Sequence, residues 1–180
     1  MRIISGKYRG KILEAPAFIE VRPTTDFAKT GLFNILEGKI DWEETSALDL
    51  FCGIGGITFE LLSRGCNEVS SVDRNKACID FINHWASKMK LNQLSTFCTD
   101  VDAFMMHHSG QQYDLIFADP PYGQENAETL IPMILPMLKT DGIFVYEFDG
   151  KANLKRIPGL TDIRKYGKVH FAFFKKIHEL

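Results

Sequence analysis

The stretch Leu160-Thr161-Asp162-Ile163-Arg164-Lys165-Tyr166-Gly167-Lys168-Val169-His170-Phe171-Ala172-Phe173-Phe174-Lys175 decides the fold. Leu160 to Lys165 and Val169 to Lys175 read as strands, and only Tyr166-Gly167-Lys168 separates them. Two parallel strands need a crossover of about a dozen residues or more, so this pair is expected to be an antiparallel hairpin. The chain before it follows the opposite rule. Strands expected at Ala47 to Phe51, Glu68 to Val72, Thr96 to Cys98, Tyr113 to Ala118 and Gly142 to Phe148 alternate with helical stretches. Those stretches are Ile57 to Ser63, Lys76 to Lys90, Val101 to Met106 and Glu125 to Leu138, the last carrying Pro132 and Pro136. Such alternation marks βαβ units and a doubly wound parallel sheet. The expected architecture is α/β, with a seven-stranded, mostly parallel sheet whose final hairpin runs against the rest. A nicotinamide dehydrogenase would instead end on parallel strands.

Ahead of this core, Arg2-Ile3-Ile4-Ser5-Gly6-Lys7-Tyr8-Arg9-Gly10-Lys11-Ile12-Leu13 reads as a short β-hairpin or extended arm. On a strand, Lys7, Arg9 and Lys11 would share one face as a row of cations about 7 Å apart, a spacing suited to a phosphate backbone. Arg22-Pro23-Thr24-Thr25-Asp26 supplies a turn and helix cap. Phe27, Leu32, Phe33, Ile35 and Leu36 then give an amphipathic helix ending near Gly38. Residues 1–38 are thus an N-terminal basic arm and helix, residues 46–180 the core, and 1–180 a single domain. The 180 residues, 45% of them hydrophobic, suffice for one sizeable core.

The formal net charge of -2 conceals an uneven distribution. Residues 1–30 hold six Lys/Arg against three acids, residues 151–180 eight against two, and the middle seven against eighteen. Basic ends around an acidic middle fit a chain that meets a polyanion at its periphery. No apolar run is long enough for a membrane span, and the start lacks a signal peptide's apolar stretch, so a cytoplasmic protein is expected. Cys52, Cys66, Cys78 and Cys98 are never spaced as C-x-x-C and have no histidine nearby. They read as reduced, mostly buried thiols, with no metal site.

At the carboxyl end of the first strand the sequence reads Asp49-Leu50-Phe51-Cys52-Gly53-Ile54-Gly55-Gly56, where a tight turn lets backbone approach a ligand closely. The third glycine of a dinucleotide fingerprint would fall at Thr58, so that fingerprint is incomplete. Asp49 would repel a pyrophosphate but suits an amino acid's ammonium group, directly or through water. Asp73 ends the second strand, where a carboxylate can accept both hydroxyls of a ribose. Asp100 follows the third and can accept from an adenine amine, with the Val101 peptide facing the ring. These acids, with Phe51, Gly53 and Gly55, favour S-adenosylmethionine over a nicotinamide cofactor.

The fourth strand runs into Asp119-Pro120-Pro121-Tyr122, the most specific signal in the chain. Two prolines fix the backbone and remove two N–H donors, freeing the Pro120 carbonyl to face a crevice. The Asp119 carboxylate is a second acceptor, beside the cofactor, and Tyr122 a flat ring. Together they suit the exocyclic amine of a nucleobase: two acceptors hold its two hydrogens while the nitrogen lone pair faces a methyl donor, and the ring stacks on the flipped-out base.

On these residues the chain resembles the RsmD family of bacterial small-subunit (16S) rRNA guanine-N2 methyltransferases. The likeness covers nearly the whole length. It includes Arg2 to Gly10, Arg22-Pro23-Thr24 leading to Leu32-Phe33-Asn34-Ile35-Leu36, Leu48-Asp49-Leu50-Phe51-Cys52-Gly53, Asp119-Pro120-Pro121-Tyr122 and Lys165-Tyr166-Gly167-Lys168. The resemblance implies a Rossmann-like class I S-adenosylmethionine-dependent methyltransferase fold, guanine N2 as target atom, and 16S rRNA of the small ribosomal subunit or its assembly intermediate as substrate. Asp119, Pro120, Pro121 and Tyr122 would be catalytic, and Lys7, Arg9, Lys11, Arg22, Lys165 and Lys168 would meet RNA. A monomer is expected. Two departures stand out: Phe27-Ala28-Lys29-Thr30-Gly31 occupies a helix that usually carries arginines in the family, and Asp73 stands where glutamate is common. The rival readings are an adenine-N6 nucleic-acid methyltransferase, which usually needs a target-recognition domain with no room here, and a non-catalytic RNA-binding assembly factor.

Overall fold

The computed structural model describes residues 1–17, 19, 24–121 and 127–177. Its core is a seven-stranded sheet of β1 (Ser46–Leu50), β2 (Glu68–Asp73), β3 (Leu94–Cys98), β4 (Tyr113–Ala118), β5 (Leu138–Phe148), β6 (Leu160–Tyr166) and β7 (Val169–Phe174). The spatial order is β3-β2-β1-β4-β5-β7-β6. β1 to β5 run parallel, and β7 returns antiparallel between β5 and β6. The closing pair turns through Gly167 (φ 66) and Lys168, with Tyr166 opposite Val169, as the short linker required.

Among the described residues, five helices cover the sheet: α1 (Asp26–Leu36), α2 (Gly56–Arg64), α3 (Lys76–Met89), α4 (Val101–His107) and α5 (Ala127–Ile134). Period-two alternation divides the apolar residues between two cores. Ala47, Leu115, Phe117, Val145, Phe171 and Phe173 join α1, α2 and α3 on one side. Leu48, Leu50, Ile116, Ala118, Phe144 and Phe174 join α4 and α5 on the other. Local chemistry sets the helix ends. Thr25 Oγ1 accepts from Ala28 N and Asn75 Oδ1 from Ala77 N, while α2 stops at Gly65 in the left-handed region.

Three expectations need correction. The helix expected through Leu138 ends at Ile134, passes through a 3-10 turn at Leu135–Met137, and gives way to a strand that starts at Leu138 instead of Gly142. Pro136 cannot supply a helical N–H, and Lys139, which looks like a loop residue, is held by Asp114 at 2.7 Å within an irregular stretch of the β4–β5 ladder. Phe27 lies off the apolar face of α1 and is 67% exposed, whereas Ala28, Leu32, Phe33 and Leu36 are buried.

The third correction concerns the basic arm. It does return on itself, through an Arg2–Ile12 antiparallel bridge and bonds between Ile3 and Lys11 and between Leu13 and Met1. Residues 7–10, however, are turn, so Lys7, Arg9 and Lys11 do not form a row on one strand face. The arm is also clamped lengthwise along α2. The fully buried Glu60 carboxylate accepts from Ile4 N (2.8 Å) and Ser5 N (3.0 Å), and Lys7 N donates to Ser63 O (2.7 Å). Gly6 (φ 79) has no room for a side chain, since a Cβ would sit 1.9 Å from Ser63 O. Met1 lies against the start of α2 at Gly56 and Lys7 against its last turn, roughly 10 Å along the axis.

Candidate active site

The strand order reverses between β1 and β4, and open α/β sheets bind ligands in the crevice beyond the strand ends at that point. A crevice of about 640 Å³ opens there. The β1–α2 turn forms its floor. Phe51 (φ 60) and Gly53 (φ 51) both adopt left-handed conformations, and Cys52 N is tied to Val72 O at 3.0 Å. The strained turn exposes Phe51, Gly53, Ile54 and Gly56 to the crevice. Gly55 departs from expectation: it is not part of the crevice wall, and its Cα faces Ile82 and Phe59 at the left-handed N-cap of α2. It is needed for the turn's shape.

Asp49 is buried at the crevice floor, and its Oδ2 accepts from Thr58 N at 2.9 Å and Thr58 Oγ1 at 2.6 Å. Thr58 Oγ1 also meets Ser71 Oγ at 2.7 Å. Burial pushes the Asp49 carboxyl up to about 7; the Thr58 bonds oppose this, and the nearby charges of Asp119 and Asp73 reinforce it. The residue that spoils the dinucleotide fingerprint is therefore what holds the floor carboxylate. Asp73 is half-buried at the end of β2; its Oδ2 accepts from Gly53 N and its Oδ1 from Asn75 N, both at 2.8 Å. It braces the glycine turn as well as facing the cavity, a role the sequence reading did not assign.

Asp100 and Val101 lie at the start of α4 on the same wall. Asp100 occupies the N-cap position without a side-chain capping bond, is exposed, and stands 4.0 Å from Arg74. Cys52 and Cys78 also line the crevice; burial raises both thiols, Cys78 to about 11, so they stay protonated at neutral pH. The cysteines are free, and Cys98 is the exposed one.

Asp119, Pro120 and Pro121 close the crevice beyond β4, with Asp119 N bonded to Leu50 O at 3.4 Å. Tyr122 and Arg22 lie outside the described residues. Among the lining residues that escaped the sequence reading are Phe117, Thr24 and Glu147. Glu147 is 3% exposed near the end of β5, and its Oε2 accepts from Thr24 Oγ1 at 3.1 Å. The signal was an acid inside the otherwise apolar run Ile143 to Phe148. Continuing the β4–β5 register beyond Ala118 and Tyr146 places Asp119 beside Glu147, on the sheet face that carries Asp49.

The expected RNA-contacting cations separate into two places. Lys168 lies in the β6–β7 turn next to Val169, itself part of the crevice wall. Lys165 pairs with His170 in the same hairpin and is exposed. Lys7 and Arg9 sit at the far end of α2, away from the crevice. Lys29 in α1 is buried, its ammonium bonded to Arg2 O at 2.7 Å and its pKa lowered by burial. Among the described residues no helix is long and apolar enough to cross a membrane, and no His, Cys, Asp and Glu cluster could hold a metal ion.

The family model described as Conserved hypothetical protein 95 matches residues 1–175. The chain belongs to this family, the RsmD family. A Bacillus subtilis relative named "Putative rRNA methyltransferase YlbH" is 32% identical over 184 residues, covering 98% of this chain and 99% of the relative. The Haemophilus influenzae protein named ribosomal RNA small subunit methyltransferase D is 30% identical over 144 residues, 74% of this chain and 70% of the relative. A solved Thermus thermophilus 16S rRNA N2 methyltransferase (RsmC), in complex with AdoMet and guanosine, superposes with a TM-score of 0.69 at 19% identity, covering 86% of this chain and 44% of that one. The fold of this RsmD-family chain is that of the class I S-adenosylmethionine-dependent methyltransferases.

Proposed function

We propose that this chain transfers the methyl group of S-adenosylmethionine to the exocyclic N2 amine of a guanine in small-subunit ribosomal RNA. The observation that carries the reading is the convergence of Asp49, Asp73, Asp100 and Asp119-Pro120-Pro121 on one crevice at the sheet's switch point. The relatives' names support an rRNA substrate.

The crevice fits the cofactor by the chemistry of its donors. Its carboxylates suit a ligand with a sulfonium, an ammonium and two ribose hydroxyls, and the left-handed turn at Gly53 offers backbone at close range. When bound, the cofactor supplies an electrophilic methyl carbon on a sulfur that departs neutral. Asp49, held by Thr58, meets the ammonium. Asp73 receives the ribose hydroxyls on lone pairs left beside its backbone bonds, and Asp100 accepts from the adenine amine while the Val101 peptide faces the ring.

Asp119 and the Pro120 carbonyl would each hold one hydrogen of the target amine, leaving its nitrogen lone pair free for the methyl group that the cofactor would supply. Tyr122 stacks on the base. The methylated nitrogen is strongly acidic and loses its proton afterwards, so no base need act before attack. Positioning of this kind is worth up to about 7–11 kcal/mol in well-oriented systems. Glu147 supports guanine over adenine: a carboxylate on this wall can accept from the N1–H of guanine, whereas adenine presents a lone pair there.

The test incubates the protein with labelled cofactor and small ribosomal subunits from cells lacking it, then digests the RNA and identifies the labelled nucleoside. N2-methylguanosine is expected. Label in N6-methyladenosine would transfer the reading to the adenine rival, and no label to a non-catalytic assembly factor.

A further inference from the structure

α1 begins at the crevice, where Thr24 and its N-cap Thr25 line the wall. Two residues beyond Thr25, Phe27 is 67% exposed. A lone exposed apolar residue needs no explanation, but this ring is held in place. It meets the Tyr166 ring edge-on, with centroids 5.8 Å apart and an interplanar angle of 74°. Tyr166 in turn packs against Phe171 and donates its hydroxyl proton to Gly31 O at 3.3 Å. Gly31 makes this docking possible, because a Cβ there would lie 2.1 Å from Tyr166 Cε1. With this contact made, Phe27 still keeps about two thirds of its surface exposed. Lys168, exposed, lies two residues after Tyr166, within a terminal segment of eight Lys/Arg against two acids.

We propose that Phe27 is a stacking platform for an unpaired nucleotide that flanks the target base, with the phosphate of that strand on Lys168. The proposal rests on the RNA-methylating reading above. A base drawn into the crevice leaves a neighbour unstacked at the rim, and an exposed aromatic ring receives such a base without regard to its identity, while Lys168, two residues along the hairpin from the ring that holds Phe27, can meet the strand's phosphate. The rigid ring pair loses little freedom on binding.

The test measures binding of a short single-stranded RNA oligonucleotide and methyl transfer to small subunits, using wild type, Phe27→Ala and Phe27→Trp. Phe27→Ala is expected to weaken oligonucleotide binding by about 5- to 150-fold, the range found for base–aromatic stacking, and to raise the RNA KM with kcat retained. Phe27→Trp should keep the affinity and show RNA-dependent fluorescence quenching beyond that from Trp42 and Trp85. S-adenosylhomocysteine affinity should be unchanged in both, reporting an intact fold. Binding by Phe27→Ala within twofold of wild type, or no added quenching in Phe27→Trp, overturns the platform. A weakening seen with subunits but not with the oligonucleotide also overturns it, assigning the ring to a protein partner. Failure of the wild type to bind or methylate RNA would instead defeat the functional reading.

Discussion

Thr58→Val tests the crevice floor most directly. The substitution nearly preserves shape and keeps the backbone bond from residue 58 to Asp49 Oδ2, but removes the hydroxyl that donates to the same oxygen at 2.6 Å and meets Ser71 at 2.7 Å. A hydrogen bond to a charged group contributes about 1.5–3 kcal/mol, and about 1.4 kcal/mol corresponds to one pH unit. At the low end of that range the Asp49 carboxyl, already near 7, titrates about one pH unit higher in the variant. If the ionised carboxylate is what receives the cofactor's ammonium, affinity follows the ionised fraction. That fraction falls at pH 7 from about half to about a tenth, a fivefold loss; the gap widens to about ninefold at pH 6 and shrinks to about twofold at pH 8. Isothermal titration with S-adenosylhomocysteine at these three pH values reads it directly. The same linkage acts on folding. A raised carboxyl pKa means stability is fully present below about pH 4 and is lost as pH rises through about 7, so the stability of ligand-free wild type should fall across that window. A gap independent of pH, or no gap, would refute the account of Asp49 as the ammonium's partner.

Other substitutions probe the remaining parts. Asp119→Ala should lower methyl-transfer turnover by about 10²–10³ with S-adenosylhomocysteine affinity nearly retained, as for removal of one aligned polar group; single-turnover kinetics with wild-type rates would remove its assigned role. Gly31→Ala places a methyl inside the Tyr166 ring and should cost about 1–3 kcal/mol in chemical denaturation, with partial recovery when Tyr166→Ala is added. Alanine at Lys7, Arg9 and Lys11 together should flatten the log–log salt dependence of RNA binding by about 0.7–0.9 for each phosphate no longer neutralised; an unchanged slope would make the arm a structural clamp.

The acids of the site were legible one by one because each sits at or just beyond the carboxyl end of a strand, and strands announce themselves through runs such as Tyr113 to Ala118 and a fixed exit end. Thr58 was visible only as a broken glycine pattern, and its grip on Asp49 depends on α2 folding back over β1. Glu147 lay hidden because a lone acid in an apolar strand gives no partner in sequence; Thr24, its partner, is 123 positions away. Phe27 was misplaced by helical periodicity, since the first turn of an amphipathic helix can carry an aromatic residue just outside the buried stripe.

By itself the sequence determined the parallel core, the reversed closing hairpin and the set of acids, because linker length, two-residue alternation and proline or glycine placement act over a few neighbours. Tertiary structure alone decided where these meet. The arm became a brace on α2 because the buried Glu60 takes its backbone N–H groups. Gly55 turned away from the crevice because its side-chain direction meets Ile82 of α3 and Phe59 of α2. Asp49 acquired a near-neutral titration because desolvation depends on what surrounds a group in space, not on what precedes it in the chain.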